Sequence, residues 1–455
     1  MDKIEQRILE IIDSHRDEII SFGEDIWHHG ERGYQEFRTS AKTKEWFERL
    51  GLKSIKTGLA ITGVKAYLKD PAEQHKHTIA LMGEMDGLPL PDHPSANPET
   101  GVAHACWHNT QITAVAGAAM ALSDPEVAAG IDGNIAFFGC PAEEQGDLDE
   151  LIQMKKEHRI QYFGGKAQLI KEGALDDLDM IIAHHSMAYG LGINNRTTNC
   201  FVTKRVTFQG KASHGARPYL GIDALEAASL AMTAINTQKE CFQEKDYVRI
   251  HGYIMEGGTA NNIIAERVVM SYSVRAANPD ALKAADFRVD RAIKGAAAAV
   301  GAGVKIETFP GYLSDRPAKD ITLLENVMRE LNPGKKLTIY DSSKDPTLHQ
   351  VGSNDYGEVS QILPYIKFTT GGTAGAAHTN HADLVDKEEA YIVPAKIFAI
   401  YAYRLMRNQA QELEKFLAPF EPAMTKEEVC AFFDSMFREE QVEINPVPNF
   451  QASVD

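Results

Sequence analysis

Residues 78–84 read TIALMGE, residues 134–140 read NIAFFGC and residues 180–186 read MIIAHHS. Each run is short and mostly apolar, which is typical of a buried strand. Helix-like stretches, QITAVAGAAMALS at 111–123 and KAQLIKEGAL at 166–175, lie between them. Strands that alternate with helices indicate a parallel sheet joined by crossover helices. The sequence therefore predicts an α/β fold with a mainly parallel sheet and helices on both faces.

The pattern changes within residues 198–310. FVTKRVTFQG is followed by an Ala-rich helical stretch, the strand-like runs YVRIHGYIM and ERVVMSYSVRA, a second Ala-rich helical stretch and VKIETFP. This order predicts a compact α+β unit inserted into the α/β domain. We expect a discontinuous domain of residues 1–197 and 311–417, an inserted domain of residues 198–310 and a C-terminal helical extension of residues 418–455.

The extension has a simple predicted structure. Thr425 and Glu428 have the spacing of a capping box, and VCAFFDSMF follows them. That pattern predicts one docked helix. We expect the Pro- and Asn-rich end beyond it to be a frayed terminus.

Composition and charge exclude several classes of protein. The 455 residues carry 47 Lys plus Arg and 64 Asp plus Glu, so the net charge of −17 argues against a nucleic-acid partner. The five cysteines are an odd number and far apart, which suits a reducing compartment and predicts a cytoplasmic protein. The longest nearly apolar stretch, 114–122, falls well short of the ~20 residues that cross a bilayer, so no membrane association is expected.

Side chains that can bind metals follow the first predicted strand. Glu84 and Asp86 are spaced so that both project to one face where the strand ends. The segment His104-Ala105-Cys106-Trp107-His108-Asn109 then places a thiol beside imidazoles, a donor set that first-row divalent ions accept. Taken alone, the acids could be solvated loop residues and the histidines could be structural.

The other predicted strands end in the same kinds of side chain. PAEE brings Glu143 and Glu144 after the second strand, and His184 and His185 close the third. Alternation lets only one of these two histidines face a common site. His378 lies on a Gly-rich loop of small residues, FTTGGTAGAAHTNH at 368–381. Because ligand sites in parallel sheets lie at the carboxyl ends of the strands, we expect these side chains to form one metal centre.

Seven motifs occur in register along the chain: ALMGEMDGLP, HACWHN, PAEE, the His185 segment, FQGKASHGARP, GGTANN and GSNDYGEVS. Together they resemble those of the M20 metallopeptidase family, specifically its amidohydrolase branch. That branch includes auxin-conjugate, N-acyl amino acid and aminobenzoyl-glutamate hydrolases. The resemblance extends over residues 15–410 and implies a di-metal α/β catalytic domain interrupted by a lid and dimerisation domain.

The resemblance implies a role for each matching position in a metal centre. It implies two divalent ions per chain, with manganese favoured over zinc or cobalt. The implied metal ligands are Cys106, His108, Glu144, His185 and His378.

It also implies the remaining catalytic and substrate-binding residues. Glu143 becomes the general acid/base, and Asp86 orients His108. His214 resembles a histidine that reaches the catalytic site, often from the other subunit of a homodimer formed through the inserted domain. Asn262 and Arg275 fall where the family's lid binds substrate, and a guanidinium suits a carboxylate.

Three positions depart from the family pattern. Trp107 stands where the family usually has Gly, Asn109 where it has Asp, and Glu84 where the branch commonly has Asp. We expect a large aromatic side chain beside two ligands to narrow or reshape the substrate cavity, although a structural Trp that fills the space is an equally open alternative. The role of Glu84 is left open.

The functional hypothesis is a metal-dependent amidohydrolase that cleaves the amide bond of an N-acyl or aromatic-acyl amino acid conjugate, a small-molecule substrate, with a metal-activated water. A first alternative is an aminohydrolase that releases ammonia from an aromatic amine, or a dipeptidase, on the same scaffold. A second is a non-catalytic binding protein that has kept the fold.

Overall fold

The fold is given by a computed structural model that describes residues 1–445. In chain order its α-helices are α1 (Lys3–Ser14), α2 (Arg16–Trp27), α3 (Phe37–Arg49), α4 (His108–Leu122), α5 (Pro125–Ala129), α6 (Leu148–Lys156), α7 (Gly165–Glu172), α8 (Ala224–Asn236), α9 (Pro279–Val300), α10 (Thr322–Leu331), α11 (Tyr356–Ile362), α12 (Val393–Met406), α13 (Gln411–Leu417) and α14 (Lys426–Met436).

The strands, likewise in chain order, are β1 (Lys53–Leu59), β2 (Gly63–Tyr67), β3 (Thr78–Glu84), β4 (Leu88–Pro89), β5 (Val102–Ala103), β6 (Asn134–Cys140), β7 (Met180–Ser186), β8 (Gly192–Asn195), β9 (Thr197–Thr198), β10 (Cys200–Gln209), β11 (Arg249–Glu256), β12 (Arg267–Ala276), β13 (Gly303–Pro310), β14 (Thr338–Asp341), β15 (His349–Gln350), β16 (Tyr365–Thr370), β17 (Thr373–Ala374), β18 (Asp383–Leu384) and β19 (Arg438–Val442).

An eight-stranded sheet has the strand order β1-β2-β6-β3-β7-β16-β8-β14. Its central run, from β6 through β3 and β7 to β16, is parallel. The three predicted strands β3, β6 and β7 are present with the predicted bounds. The α/β fold class is therefore confirmed, and the sheet is mixed because β1 pairs antiparallel with β2, β2 with β6 and β8 with β16.

Helix α4 is central to the packing of this sheet. Every one of its residues is buried, and it contacts β3, β7, α2 and α12. A helix that is apolar on all sides is stable only when it is enclosed by other elements. Its first residue, His108, follows directly from the loop that carries Cys106, so the packing of α4 fixes both side chains.

A second sheet is antiparallel, with the strand order β11-β12-β10-β13-β19. Helices α8 and α9 pack on it and on each other. Their small Ala side chains and the inward side chains of β10, β12 and β13 form a separate hydrophobic core.

Contacts between residues divide the chain into two compact units. Among the described residues, the first consists of 1–197, 315–349 and 358–427, and the second of 198–314, 350–357 and 428–445. The boundaries at 198, 311 and 418 stay a prediction of the sequence analysis.

The C-terminal region contains the predicted helix, α14, and an element that the sequence analysis missed. Strand β19 follows the helix and pairs antiparallel with β13, from Thr308 opposite Arg438 to Val304 opposite Val442. The part of the predicted frayed terminus from residue 446 onward lies outside the described residues.

Within residues 1–445 there is no helix both long and apolar enough to span a bilayer.

Candidate metal centre

Asp86 connects two segments of the centre. Its Oδ1 lies 2.9 Å from Nδ1 of His108, and its Oδ2 accepts a 2.7 Å hydrogen bond from the backbone N–H of Glu144. Asp86 is fully buried. With Nδ1–H donating to Asp86, the Nε2 lone pair of His108 faces the centre, which is the usual arrangement for a histidine that binds a metal.

Cys106 and His185 come from different elements and meet at this edge. The Sγ of Cys106 lies 3.5 Å from Nε2 of His185. Nδ1 of His185 is 2.7 Å from the carbonyl oxygen of Ser186, which holds the ring with Nε2 towards Cys106. His184 points to the opposite face, where it contacts Thr370 and the rings of Phe368 and Phe398, as strand alternation predicts.

His378 reaches the centre from the loop between β17 and β18. Its Nε2 is 3.0 Å from Oε1 of Glu144, and its backbone N–H donates to the carbonyl oxygen of Ala105. The loop is tight, because a Cβ at Gly375 would lie 1.8 Å from the carbonyl oxygen of His381. About half of the His378 side chain (52%) is exposed to solvent.

Two carboxylates lie near Nε2 of His108, the ring nitrogen that does not contact Asp86. Oε2 of Glu84 lies 3.2 Å and Oε2 of Glu143 lies 3.7 Å from Nε2 of His108. Glu84 is held in turn by Lys166, whose Nζ is 2.7 Å from Oε1, and by Gln111, whose amide donates to Oε2 at 2.6 Å. All five of these side chains are buried.

The electrostatics favour a thiolate at Cys106. Burial is the largest single effect and raises the pKa of the thiol, but the charges of His108 and His185 and a hydrogen bond with His108 together outweigh it and lower this pKa to about 6. Burial likewise opposes charge on His108, yet Cys106, Glu84 and Asp86 raise its pKa well above the usual value. Hydrogen bonds to Cys106 and Glu144 raise the pKa of His378 to about 10. The thiolate and the carboxylates carry the negative charge of the centre, and the raised pKa values of the two histidines show that these anions attract a cation.

Glu36 holds the PAEE loop, residues 141–144, in place through a hydrogen bond to its backbone. Its Oε1 accepts a 2.8 Å hydrogen bond from the backbone N–H of Ala142, and its Oε2 accepts one from the hydroxyl of Thr62 at 2.5 Å. Ala142 has a left-handed backbone, φ 53°, directly before Glu143. Burial, followed by the charge of Asp86, raises the pKa of Glu36 to about 8.

Trp107 is a buried structural side chain, the second of the two alternatives that the sequence left open. The side chain is 2% exposed and packs against Trp27, Ala105 and Ala382, and its Nε1–H donates to the carbonyl oxygen of Asp383. The backbone at Trp107 is left-handed, with φ 59°.

The donor atoms fit divalent metal ions. Three overlapping groups each keep their donor atoms within 4.8 Å of one another: Cys106 with His108 and His185, Cys106 with Glu144 and His378, and Glu84 with His108 and Glu143. Sulfur, imidazole nitrogen and carboxylate oxygen are the ligands of zinc, manganese and cobalt. Nε2 of His108 is buried and has no hydrogen-bond partner among the described residues, as expected of an atom reserved for a metal.

The other predicted site residues lie in the second compact unit. His214 and Asn262 are exposed, and the backbone of His214 pairs with that of Ile263. Arg275 lies over the ring of Phe201 and donates to the hydroxyl of Ser353. Burial lowers the pKa of Arg275 from its usual value.

Comparison with known proteins adds independent information. The model of the M20 peptidase dimerisation domain matches residues 200–300. The chain is 27% identical to an Xaa-Arg dipeptidase of Mus musculus over 457 aligned residues. The alignment covers 97% of this chain and 95% of the relative. The chain is similar to M20 peptidases over nearly its full length, and residues 200–300 match their dimerisation domain. As an M20-type enzyme it hydrolyses amide or peptide bonds.

Two further similar proteins support the likeness to M20 enzymes. A p-aminobenzoyl-glutamate hydrolase component of Escherichia coli is 28% identical over 305 residues, 65% of this chain and 59% of that protein. A solved dinuclear metal-binding peptidase of the M20 family from Bacillus subtilis has the same fold, with a TM-score of 0.65 and 20% identity over 87% of this chain and 99% of the other. Two metal ions, a small amide substrate and an oligomer are consistent with these M20 features.

The sequence analysis missed Lys166, Gln111 and Glu36 as parts of the centre. Lys166 and Gln111 lie in helices, and only the packing of those helices brings them to Glu84. Lys166 lies in the first turn of α7, where the positive end of the helix dipole disfavours a cation. That unusual position alone is too weak a signal to predict that the lysine belongs to the metal centre.

Proposed function

We propose that this M20 enzyme cleaves the amide bond of N-acyl or aromatic-acyl amino acid conjugates. The observation that carries the proposal is the position of Glu143, a carboxylate 3.7 Å from Nε2 of His108 at the edge of the donor cluster. A base beside a metal centre is the arrangement that metal-assisted hydrolysis requires. The aminobenzoyl-glutamate hydrolase relative supports an aromatic acyl group as one substrate class.

Cys106, His108, Glu144, His185 and His378 are the residues that would hold the two ions. When bound, such ions lower the pKa of a water from about 15.7 towards ~7 and polarise a carbonyl oxygen. The mixture of one thiolate with imidazoles and carboxylates accepts manganese, zinc or cobalt. Manganese is our preferred metal because the resemblance to the M20 amidohydrolase branch favours it. Asp86 keeps His108 and Glu144 in position through its two oxygens.

Glu143 moves the protons of the reaction. Its carboxylate takes a proton from the attacking water and later delivers it to the nitrogen of the leaving amine. Ala142 sets the direction of Glu143, because Glu36 holds the backbone of that loop. Proton transfer of this kind contributes a factor of about 10²–10⁴ to the rate of an enzyme.

His214, Asn262 and Arg275 are proposed to recognise the substrate. His214 donates a hydrogen bond to the oxygen on which charge develops, a form of stabilisation that is often the largest contribution to catalysis. Arg275 pairs with the carboxylate of the amino acid product, because a guanidinium offers two parallel donors. Asn262 supplies a further polar contact.

The proposal includes a homodimer formed through the dimerisation domain and a cytoplasmic location. All five cysteines are free in the structure, and Cys106 acts as a ligand only while it stays reduced. A reducing compartment preserves that state.

A mixed substrate pool tests the function. The manganese-loaded enzyme is incubated with N-acetyl, aromatic-acyl, indole-acetyl and aminobenzoyl amino acids, and the products are identified by mass spectrometry with a chelator-treated control. We expect chelator-sensitive release of a carboxylic acid and an amino acid. Release of ammonia with the acyl bond intact would instead establish an aminohydrolase, and binding without turnover would establish a binding protein.

A dipeptidase is the second candidate, and the observation that favours it is the likeness to an Xaa-Arg dipeptidase over nearly the full length of both chains. Dipeptides with a C-terminal Arg belong in the same pool. Faster cleavage of these than of any acyl conjugate would favour the dipeptidase.

A further inference from the structure

The pair formed by Glu84 and Lys166 has no role in the function proposed above. Both side chains are buried, and their charged atoms are 2.7 Å apart. Placing a lysine inside a protein is costly unless it is paired. In α7 the cost is higher still, since Lys166 lies in the first turn, where the helix dipole opposes a positive charge.

The fold brings this lysine to the centre through a close backbone contact. The N–H of Gly165 donates to the carbonyl oxygen of Ala142, and a Cβ at Gly165 would lie 1.7 Å from the carbonyl oxygen of Pro141. Only glycine allows α7 to start directly against the PAEE loop. Lys166 is consequently fixed beside Glu84.

The carboxylate of Glu84 is fixed by its neighbours with one oxygen close to His108. Lys166 binds Oε1, while Oε2 accepts from Gln111 and lies 3.2 Å from Nε2 of His108. A spacing of about 3 Å is what two ligands of one ion show when each is ~2.0–2.2 Å from it. Nε2 of His108, which has no hydrogen-bond partner in residues 1–445, faces the same space.

The donor groups of the centre differ in exposure. Glu84 and His108 are buried, as is the base Glu143 beside them, whereas the group of Cys106, Glu144 and His378 reaches the surface. The Glu84 side chain is 3% exposed and that of His378 is 52% exposed. Screening by water weakens charge interactions at the exposed group far more than at the buried one.

We propose that the two ions are held unequally, with Glu84 as a ligand of an inner ion that stays bound and the outer ion, at Cys106, Glu144 and His378, free to exchange. Lys166 is a positioning residue that keeps Glu84 in place. The inner ion has mainly oxygen and nitrogen donors, which suit a hard divalent cation such as Mn²⁺. The inference rests on the two-metal centre of the proposed function, but its test counts ions and needs no substrate.

Metal counting on the full chain provides the test. Protein loaded with Mn²⁺ is dialysed against metal-free buffer and analysed by mass spectrometry, and the apoprotein is titrated in competition with a chromophoric chelator. We expect one retained ion per chain and two dissociation constants that differ at least tenfold. His378→Ala should lose only the weaker binding step. Loss of both ions together from the wild type would overturn the proposal.

Variants of Glu84 and Lys166 show whether Glu84 binds a metal ion or only balances the charge of Lys166. We expect Glu84→Gln to weaken the tighter site at least tenfold and to change the visible spectrum of the first equivalent of Co²⁺. The double variant Glu84→Gln/Lys166→Met removes both charges, so it should regain stability but not the tighter site. Recovery of that site in the double variant, or its retention in Glu84→Gln, would overturn the proposal. Glu73→Gln, at an exposed glutamate, is the control.

Discussion

Trp107 illustrates how a single side chain organises this centre. A non-glycine residue in the left-handed region carries a conformational cost of about 1 kcal/mol or more. Here the backbone of Trp107 has φ 59°, and the ring is buried between the Cys106 loop and the hairpin that carries His378. Packing and one hydrogen bond to Asp383 offset the cost. Trp107 therefore stabilises the relative position of two ligand loops.

Trp107→Gly is expected to lower the free energy of unfolding by about 2–4 kcal/mol, since the lost packing exceeds the relief of backbone strain. Trp107→Phe keeps most of the packing and should lose about 1 kcal/mol, the value of one hydrogen bond. Urea unfolding of the apoprotein measures both. A Trp107→Phe variant with unchanged stability but altered acyl-group preference would show that the ring contacts substrate after all.

Glu36 makes the stability of the apoprotein depend on pH. Its pKa is about 8 in the folded chain, against an ordinary value of 4.5. The folded state therefore binds the proton more tightly, so the contribution is complete below pH 4.5 and decreases as the pH rises through 8. We expect Glu36→Gln to gain stability relative to wild type across this range. A constant difference between the two unfolding curves from pH 5 to pH 8 would contradict the account.

Elements with a strong local pattern were predictable from the sequence. Strands β3, β6 and β7 have the predicted bounds, because continuous apolar runs have few other ways to be buried. Parallel pairing then places their carboxyl ends at one edge, which is why Glu84, Glu143 and His185 could be assigned to one site.

Elements that depend on distant partners were not predictable. Strand β19 reads REEQV, a charged segment that becomes a strand because β13 offers a free edge. The direction of Trp107 depends on one backbone angle, and the pairing of Lys166 with Glu84 depends on how α7 meets the PAEE loop. None of these has a local signal in the sequence.

Strand β19 also contributes to a buried charge cluster in the second unit. Lys204 is fully buried, with Nζ 2.5 Å from Asp286 and 2.6 Å from Asp290, and it also donates to Thr308. Arg438, in β19, contacts both aspartates. Two cations thus balance two carboxylates, and removal of β19 would leave one negative charge without compensation.

Arg438→Met is expected to destabilise the second unit by about 1–3 kcal/mol, less than for a fully buried pair because Arg438 is partly exposed. Adding Asp290→Asn removes the excess carboxylate and should restore part of the loss. Thermal unfolding of the single and double variants measures both, with the exposed Arg291→Met as control. If the double variant were less stable than Arg438→Met alone, charge balance would not be the function of this arginine.

The second compact unit is expected to mediate assembly of the molecule. Residues 200–300 match the M20 peptidase dimerisation domain. We predict a homodimer of twice the chain mass of 50.2 kDa, to be measured by light scattering after size-exclusion chromatography. A monomer at micromolar concentration would contradict the dimer and the suggestion that His214 acts across subunits.

For the molecule as a whole, the family resemblance and the two-metal centre could be predicted from the sequence more firmly than the substrate. Ligand types repeat wherever the same ions are bound, whereas the acyl group is recognised by side chains whose positions depend on the arrangement of loops. Trp107 demonstrates the difficulty, since an aromatic residue between two ligands proved to be structural.

The central claim is that Glu143 moves protons at a centre of two metal ions. Its most direct test is the manganese-loaded Glu143→Gln variant, in which ions per chain and turnover of the best substrate are measured together. We predict two ions per chain, as in the wild type, and a fall in kcat of about 10²–10⁴. Near-normal turnover with both ions bound would contradict the account.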